Sequence, residues 1–115
     1  MGIEVFDLIN VGAKDVGTGG ATLYTVPSTP TTRRYIVTEL KVCNNLASPT
    51  TYTITVNDTS LVQTRNLFKD IPIPDGATDY ITDRQILAPG DVLAAVAGDA
   101  SAVDINVSIA IVTIT

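Results

Sequence analysis

The chain has 115 residues, enough for one domain with a single buried core. Twelve Asp and Glu against seven Lys and Arg give a net charge of −5, which argues against the clustered cations that nucleic-acid phosphates require. There is no histidine and one cysteine, so the commonest general base, an internal disulfide and a cysteine-rich zinc site are all excluded.

The first segment, MGIEVFDLIN, has no basic start and carries Glu4 and Asp7 among its apolar residues, unlike a signal peptide. Phe6 stands where a myristoylation signal needs Ser or Thr. No apolar run approaches the ~20 residues that span a bilayer. The expectation is a protein made and kept in a cytosol. Asn57-Asp58-Thr59 and Asn106-Val107-Ser108 match the glycosylation pattern, and without a secretory signal they read as chance.

The side-chain period along the chain is two, and no segment reads as a helix. Turn signals such as Gly17-Thr18-Gly19-Gly20, Pro27-Ser28-Thr29-Pro30, Pro74-Asp75-Gly76 and Pro89-Gly90-Asp91 divide it into short pieces. Strands are expected at 3–10, 21–26, 33–43, 50–57, 66–73, 78–87, 91–97 and 102–114. In the third, Ile36, Leu40 and Val42 should share one face, with Glu39 and Lys41 on the other. In the fourth, Tyr52, Ile54 and Val56 alternate with threonines, the pattern of a half-buried pleated surface. Ile71-Pro72-Ile73-Pro74 withholds alternate N–H donors, which suits an edge strand or a strand entering a sheet corner. Leu87-Ala88-Pro89-Gly90-Asp91-Val92-Leu93 reads as a tight reversal between two strands. About eight short strands with this punctuation predict an all-β fold, an antiparallel two-sheet sandwich of jelly-roll type. Residues 1–20 form an amino-terminal strand or arm and 21–115 the sandwich, one domain overall.

Candidate chemistry is sparse. Cys43 has no imidazole to activate it and, ending an apolar strand, reads as a buried structural thiol. Gly17-Thr18-Gly19-Gly20 lacks the Lys and the helix of a phosphate loop. Asp75, Asp79 and Asp83, with Asp99 and Asp104, match no calcium spacing and suit turns instead. A glycosidase or sugar-binding groove needs aromatic platforms, and the chain has no Trp. Tyr24, Tyr35, Tyr52 and Tyr80 read as core corners with hydroxyls reaching water. The reading is therefore no enzyme, with no catalytic residue, cofactor or metal assigned.

Ala21-Thr22-Leu23-Tyr24-Thr25-Val26-Pro27, Ile36 to Asn45 (IVTELKVCNN), Ile73-Pro74-Asp75-Gly76 and Ile86 to Leu93 (ILAPGDVL) form an ordered set. That set resembles small β-sandwich virion proteins of tailed bacteriophages over residues 21 to 108. The resemblance implies a non-enzymatic structural protein of the virion, assembled in the host cytoplasm, most simply a capsid decoration or cement protein. The alternative is a tail-fibre, tail-tip or baseplate module that binds a host-surface glycan. Implied partners are copies of itself, a trimer by analogy, and other virion proteins such as the major capsid protein, with no nucleic acid and no membrane. Pro27 to Thr32 replaces the Gly-Lys turn more usual in that pattern, and residues before 20 have no counterpart.

The last strand, AVDINVSIAIVTIT, alternates strictly from Val103 to Ile109 and then carries apolar residues on both faces. Ala110, Val112 and Ile114 thus need cover, either from Ile3, Val5 and Phe6 of the same chain or from another subunit. These six residues are the expected subunit interface.

Overall fold

A computed structural model describes residues 3–59 and 61–114, with side chains from residue 7 onward. Nine strands run in chain order: β1 (Ile3–Val16), β2 (Ala21–Thr25), β3 (Arg33–Asn44), β4 (Thr50–Asp58), β5 (Gln63–Ile73), β6 (Thr78–Ile81), β7 (Gln85–Leu87), β8 (Val92–Ala97) and β9 (Val103–Ile114). One sheet has the order β1-β9-β3-β6, with β7 also on β3; the other has the order β2-β8-β4-β5. All ladders are antiparallel. The pairs are nested: β1 with β9, β2 with β8, β3 with β6 and β7, and β4 with β5. A long hairpin rolled up in this way is a jelly roll, and the all-β sandwich expected from the period-two pattern is the fold observed.

The core follows from alternation. Val103, Ile105, Val107, Ile109 and Ile111 of β9 point inward and are buried. They form one cluster with Tyr35, Val37, Leu40 and Val42 of β3, and with Tyr52, Ile54, Val56, Leu93, Ala95 and Ala97 from the opposite sheet. Ala97 lies opposite Tyr52 in the ladder, and the Tyr52 hydroxyl reaches past the core edge and donates to Asp79 Oδ2 at 2.8 Å.

The phase of β3 differs from the expected one. A register shift between Val37 and Glu39 inserts Thr38 as an extra residue. Val37, not Ile36, therefore joins Leu40 and Val42 inside. The same strand places Cys43 half-buried on the outer face, opposite Asp104 and Thr78, rather than in the core. The expected 78–87 strand is two strands: β6 pairs with residues 40–43 of β3 and β7 with 35–37, so the pairing lapses over 82–84 beside the bulge.

Two polar side chains tie loops to the sandwich. Buried Asn44 points its Nδ2 at the carbonyls of Ser48, Ile73 and Pro74, while its Oδ1 accepts from the N–H of Leu46. The 88–91 reversal carries the chain from one sheet to the other, with Gly90 at φ 88°. There Asp91 is buried; its Oδ2 accepts from the N–H of Ala88 at 2.9 Å and its Oδ1 has no partner among the described residues.

Candidate functional site

β9 is an interior strand with a neighbour on each side, so its two apolar faces have different fates. The inner face belongs to the core. Its outer face, with outward residues of β1, β3, β6 and β7, forms a broad exposed surface. Residues directly opposite in an antiparallel ladder share a face. Leu8 faces Ala110, Ala110 faces Ile36, and Ile36 faces Ile86, so an apolar row crosses the outer face from β1 to β7. Its ends are open: Leu8 is 72% and Ile86 62% exposed. One step along β9, Val112 lies between Val5 and Arg34 in register and is buried at 6%. The Arg34 guanidinium is turned back to the carbonyls of Thr31 and Arg33, both at 2.8 Å.

Beyond the apolar row the same face becomes polar. Ser108 donates its hydroxyl to Asn10 Oδ1 at 2.9 Å, and its carbonyl accepts from the Thr38 hydroxyl. Lys41 lies 3.9 Å from the Glu39 carboxylate and 5.8 Å from the centre of the exposed Tyr80 ring. Asn10, Glu39, Lys41, Asn106 and Ser108 line a shallow depression of about 240 Å³ here. Asp104 closes this end by accepting from the Asp15 N–H and Asn45 Nδ2, both at 2.8 Å. The polar half thus carries the Glu39–Lys41 ion pair and an Asp104 carboxylate satisfied by neutral N–H donors.

Of the six expected interface residues, Ala110 and Ile114 are half-buried and Val112 is buried, all on this outer side of β9. Ile3 and Val5 pair in register with Ile114 and Val112. The side chains of Ile3, Val5 and Phe6 lie outside the described residues. Leu8, Ile36 and Ile86 belong to the apolar row and were not among the expected residues. Ile36 was concealed by the Thr38 bulge and Ile86 by the brevity of β7. Leu8 could have been found by extending the alternation of β1 through Asn10 and Gly12.

The other candidates are dispersed. Tyr35 and Tyr52 are core residues at 2% exposure each, and Tyr24 is half-buried with its ring centre 5.9 Å from that of Tyr35. Burial, with the Asp79 hydrogen bond and charge, pushes the Tyr52 hydroxyl far above its usual ionisation range. Only Tyr80 of the four is largely exposed, so they form no sugar platform together. Among the described residues no group of three or more His, Cys, Asp or Glu side chains converges on a cation position. Asp79 serves Tyr52, and Asp99 accepts from Thr50 at 2.6 Å. A cavity of about 190 Å³ opens where β6 and β7 part, floored by Val37, Leu40, Phe68 and Leu93 and rimmed by Asp83, Arg84 and Gln85. It brings together no nucleophile and base.

The fold has counterparts among solved structures. The chain is similar to one of infectious bursal disease virus, Gx strain, at 14% identity and a TM-score of 0.61, over 96% of this chain and 32% of that one. It is similar to the VP2 subviral particle of the same virus at 13% identity and a TM-score of 0.57, over 93% of this chain and 32% of that one. A subunit of the disulfide-linked pili of Bacillus endospore appendages is also similar, at 15% identity and a TM-score of 0.54, over 98% of this chain and 89% of that one. This chain therefore spans about a third of the viral chains it matches and most of the pilus subunit. At these identities the likeness is one of fold. No protein-family model and no curated protein matches the sequence.

Proposed function

We propose that this protein is a non-enzymatic structural component of a bacteriophage virion, a decoration or cement protein on the capsid surface. The observation that carries the reading is the apolar row Leu8–Ala110–Ile36–Ile86, laid in register across an otherwise polar sheet face. A contiguous exposed apolar band rimmed by polar residues is what a protein–protein contact requires. The ordered sequence resemblance to small virion proteins supports the virion assignment. The jelly-roll fold supports it only as a fold, since the same architecture serves unrelated functions. A cement protein strengthens a shell by distributed burial between neighbours, without a catalytic pocket.

Its partners in this reading are copies of itself, three by analogy with decoration proteins, and the major capsid protein. Electron microscopy of whole virions tests the proposal: density on the capsid surface is expected. Density confined to the tail overturns the capsid role, and absence from the particle overturns the virion role. The glycan-binding alternative has weaker support, because among the described residues only Tyr80 offers an open ring. A glycan array with and without calcium is expected to stay blank.

A further inference from the structure

The two sheets have four edges, and three are closed to further pairing. β2 is five residues long and its register against β8 is broken between Thr22 and Tyr24. β5 carries Pro72, a left-handed Asp70 at φ 49° and two register shifts against β4. The edge formed by β6 and β7 is split into pieces of four and three residues. Short strands, prolines and bulges are how sheets blunt their edges.

β1 is different. Among the described residues it pairs with β9 on one side only, and its register runs without a break from Asp7 to Ala13. Between Asp7 and Lys14 the sequence is Leu-Ile-Asn-Val-Gly-Ala, without charge or proline. An uncharged, uninterrupted stretch without proline on an open edge is a template for another strand. The hydrogen bonds show which groups are open. The Leu8 N–H is held at 2.8 Å by the carboxylate of Asp7, a local stand-in, and so does not serve the β9 ladder. By antiparallel alternation, the backbone groups of Asn10 and Gly12 also face away from β9, while Ile9, Val11 and Ala13 serve it.

We infer that the β1 edge pairs antiparallel with the β1 edge of a second copy, about a two-fold axis beside Asn10, joining two sheets into one. The occupant follows from length: the other three edges of this chain are too short or too interrupted to match an unbroken run from Asp7 to Ala13. The register follows from faces, charge and the extent of the unbroken run from Asp7 to Ala13, whose midpoint is Asn10. Side chains stay on their own faces only if the opposed residue numbers sum to an even number. Centring on Asn10 sets Leu8 opposite Gly12 on the outer face, Ile9 opposite Val11 on the core side, and Asp7 opposite Ala13. A shift that centres on Val11 would set Asp7 against Asp15, a like-charge pair. The contact is smaller than the ~800 Å² per partner of a standard interface, so the dimer depends on concentration and gains from many copies held on one surface. A threefold ring would need a second, different contact, for which the apolar row is free.

The inference concerns the isolated chain and stands or falls apart from the virion role. Light scattering over about 10 μM to about 1 mM should show a monomer–dimer equilibrium. Hydrogen exchange should show the Asn10 and Gly12 amides gaining protection as the dimer forms. Because Asn10 faces itself, Asn10→Lys and Asn10→Asp should each weaken dimerisation at least tenfold through like-charge opposition. Mixing the two variants should restore a heterodimer. Thermal unfolding of each variant checks that the fold is retained. A wild-type chain that stays monomeric throughout, variants that dimerise like wild type, or a mixture that fails to pair would each overturn the inference.

Discussion

At the scale of single residues, buried polar groups with defined partners hold the ends of this sandwich. Asn44 points one amide nitrogen at three carbonyl oxygens. Asn44→Ala should cost about 1–3 kcal/mol by leaving buried carbonyls without a donor. Asn44→Asp should cost more, because a carboxylate then faces those same oxygens; denaturant unfolding would rank the two. Tyr52 makes a pH-dependent contribution. Burial first, then the hydrogen bond and charge of Asp79, raise its ionisation above the ordinary value of 10.0. The folded state thus holds this proton more tightly than the unfolded chain. The contribution is complete below about pH 10 and is lost as the pH rises from there through the folded-state value. Tyr52→Phe should lower stability at neutral pH by about 1 kcal/mol, since water can reach the partly exposed Asp79. Melting curves between about pH 8 and 11 should show a smaller alkaline decline for the variant than for wild type.

At the scale of elements, β1 and β9 decide what the outer face becomes. Gly12 allows β1 to approach β9 closely: a Cβ there would land on the carbonyl oxygen of Ile105. Gly12→Ala should cost about 1–3 kcal/mol, and exchange should quicken first in β1, because backbone cannot yield as a flexible side chain would. The apolar positions divide into two classes. Val112 is 6% exposed within the single chain, so Val112→Asp should destabilise the monomer by several kcal/mol. Ile86 and Leu8 stand mostly in solvent, and charged replacements there should change monomer stability by about 0.5 kcal/mol or less. A loss of assembly from Ile86→Lys with an unchanged melting temperature would mark the row as a contact. Loss of both together would assign it to the monomer instead.

At the scale of the whole molecule, the nested pairing gives a slab of about 49 × 26 × 18 Å with chain-distant strands at its centre. β9 is hydrogen-bonded between β1 and β3, so the last segment completes the sheet that the first one edges. Truncation before Val103 should therefore abolish cooperative unfolding altogether, as measured by calorimetry, because it removes the middle of a sheet rather than its rim. A molecule of this shape offers faces and edges more than clefts, which suits distributed contacts with neighbours.

Much of this was legible in the residues themselves. Strict alternation in Tyr52-Thr53-Ile54-Thr55-Val56 and in Val103 to Ile109 dictates half-buried strands, because a pleated strand turns successive side chains to opposite sides. Pro72 marked β5 as an edge or corner strand for want of an N–H, and Gly90-Asp91 marked the reversal. The sequence also showed that the final strand was apolar on both sides, without indicating what lay beside it. Local signals carry no information on which strand pairs with which, and a bulge of one residue reverses the phase of the residues on one side of it relative to the other. Thr38 did so in β3, bringing Val37 inside and turning Ile36 outward into a row with Leu8, Ala110 and Ile86. Period and turn chemistry are properties of neighbours in the chain; the surface exists only because non-local hydrogen bonding set four distant segments in register.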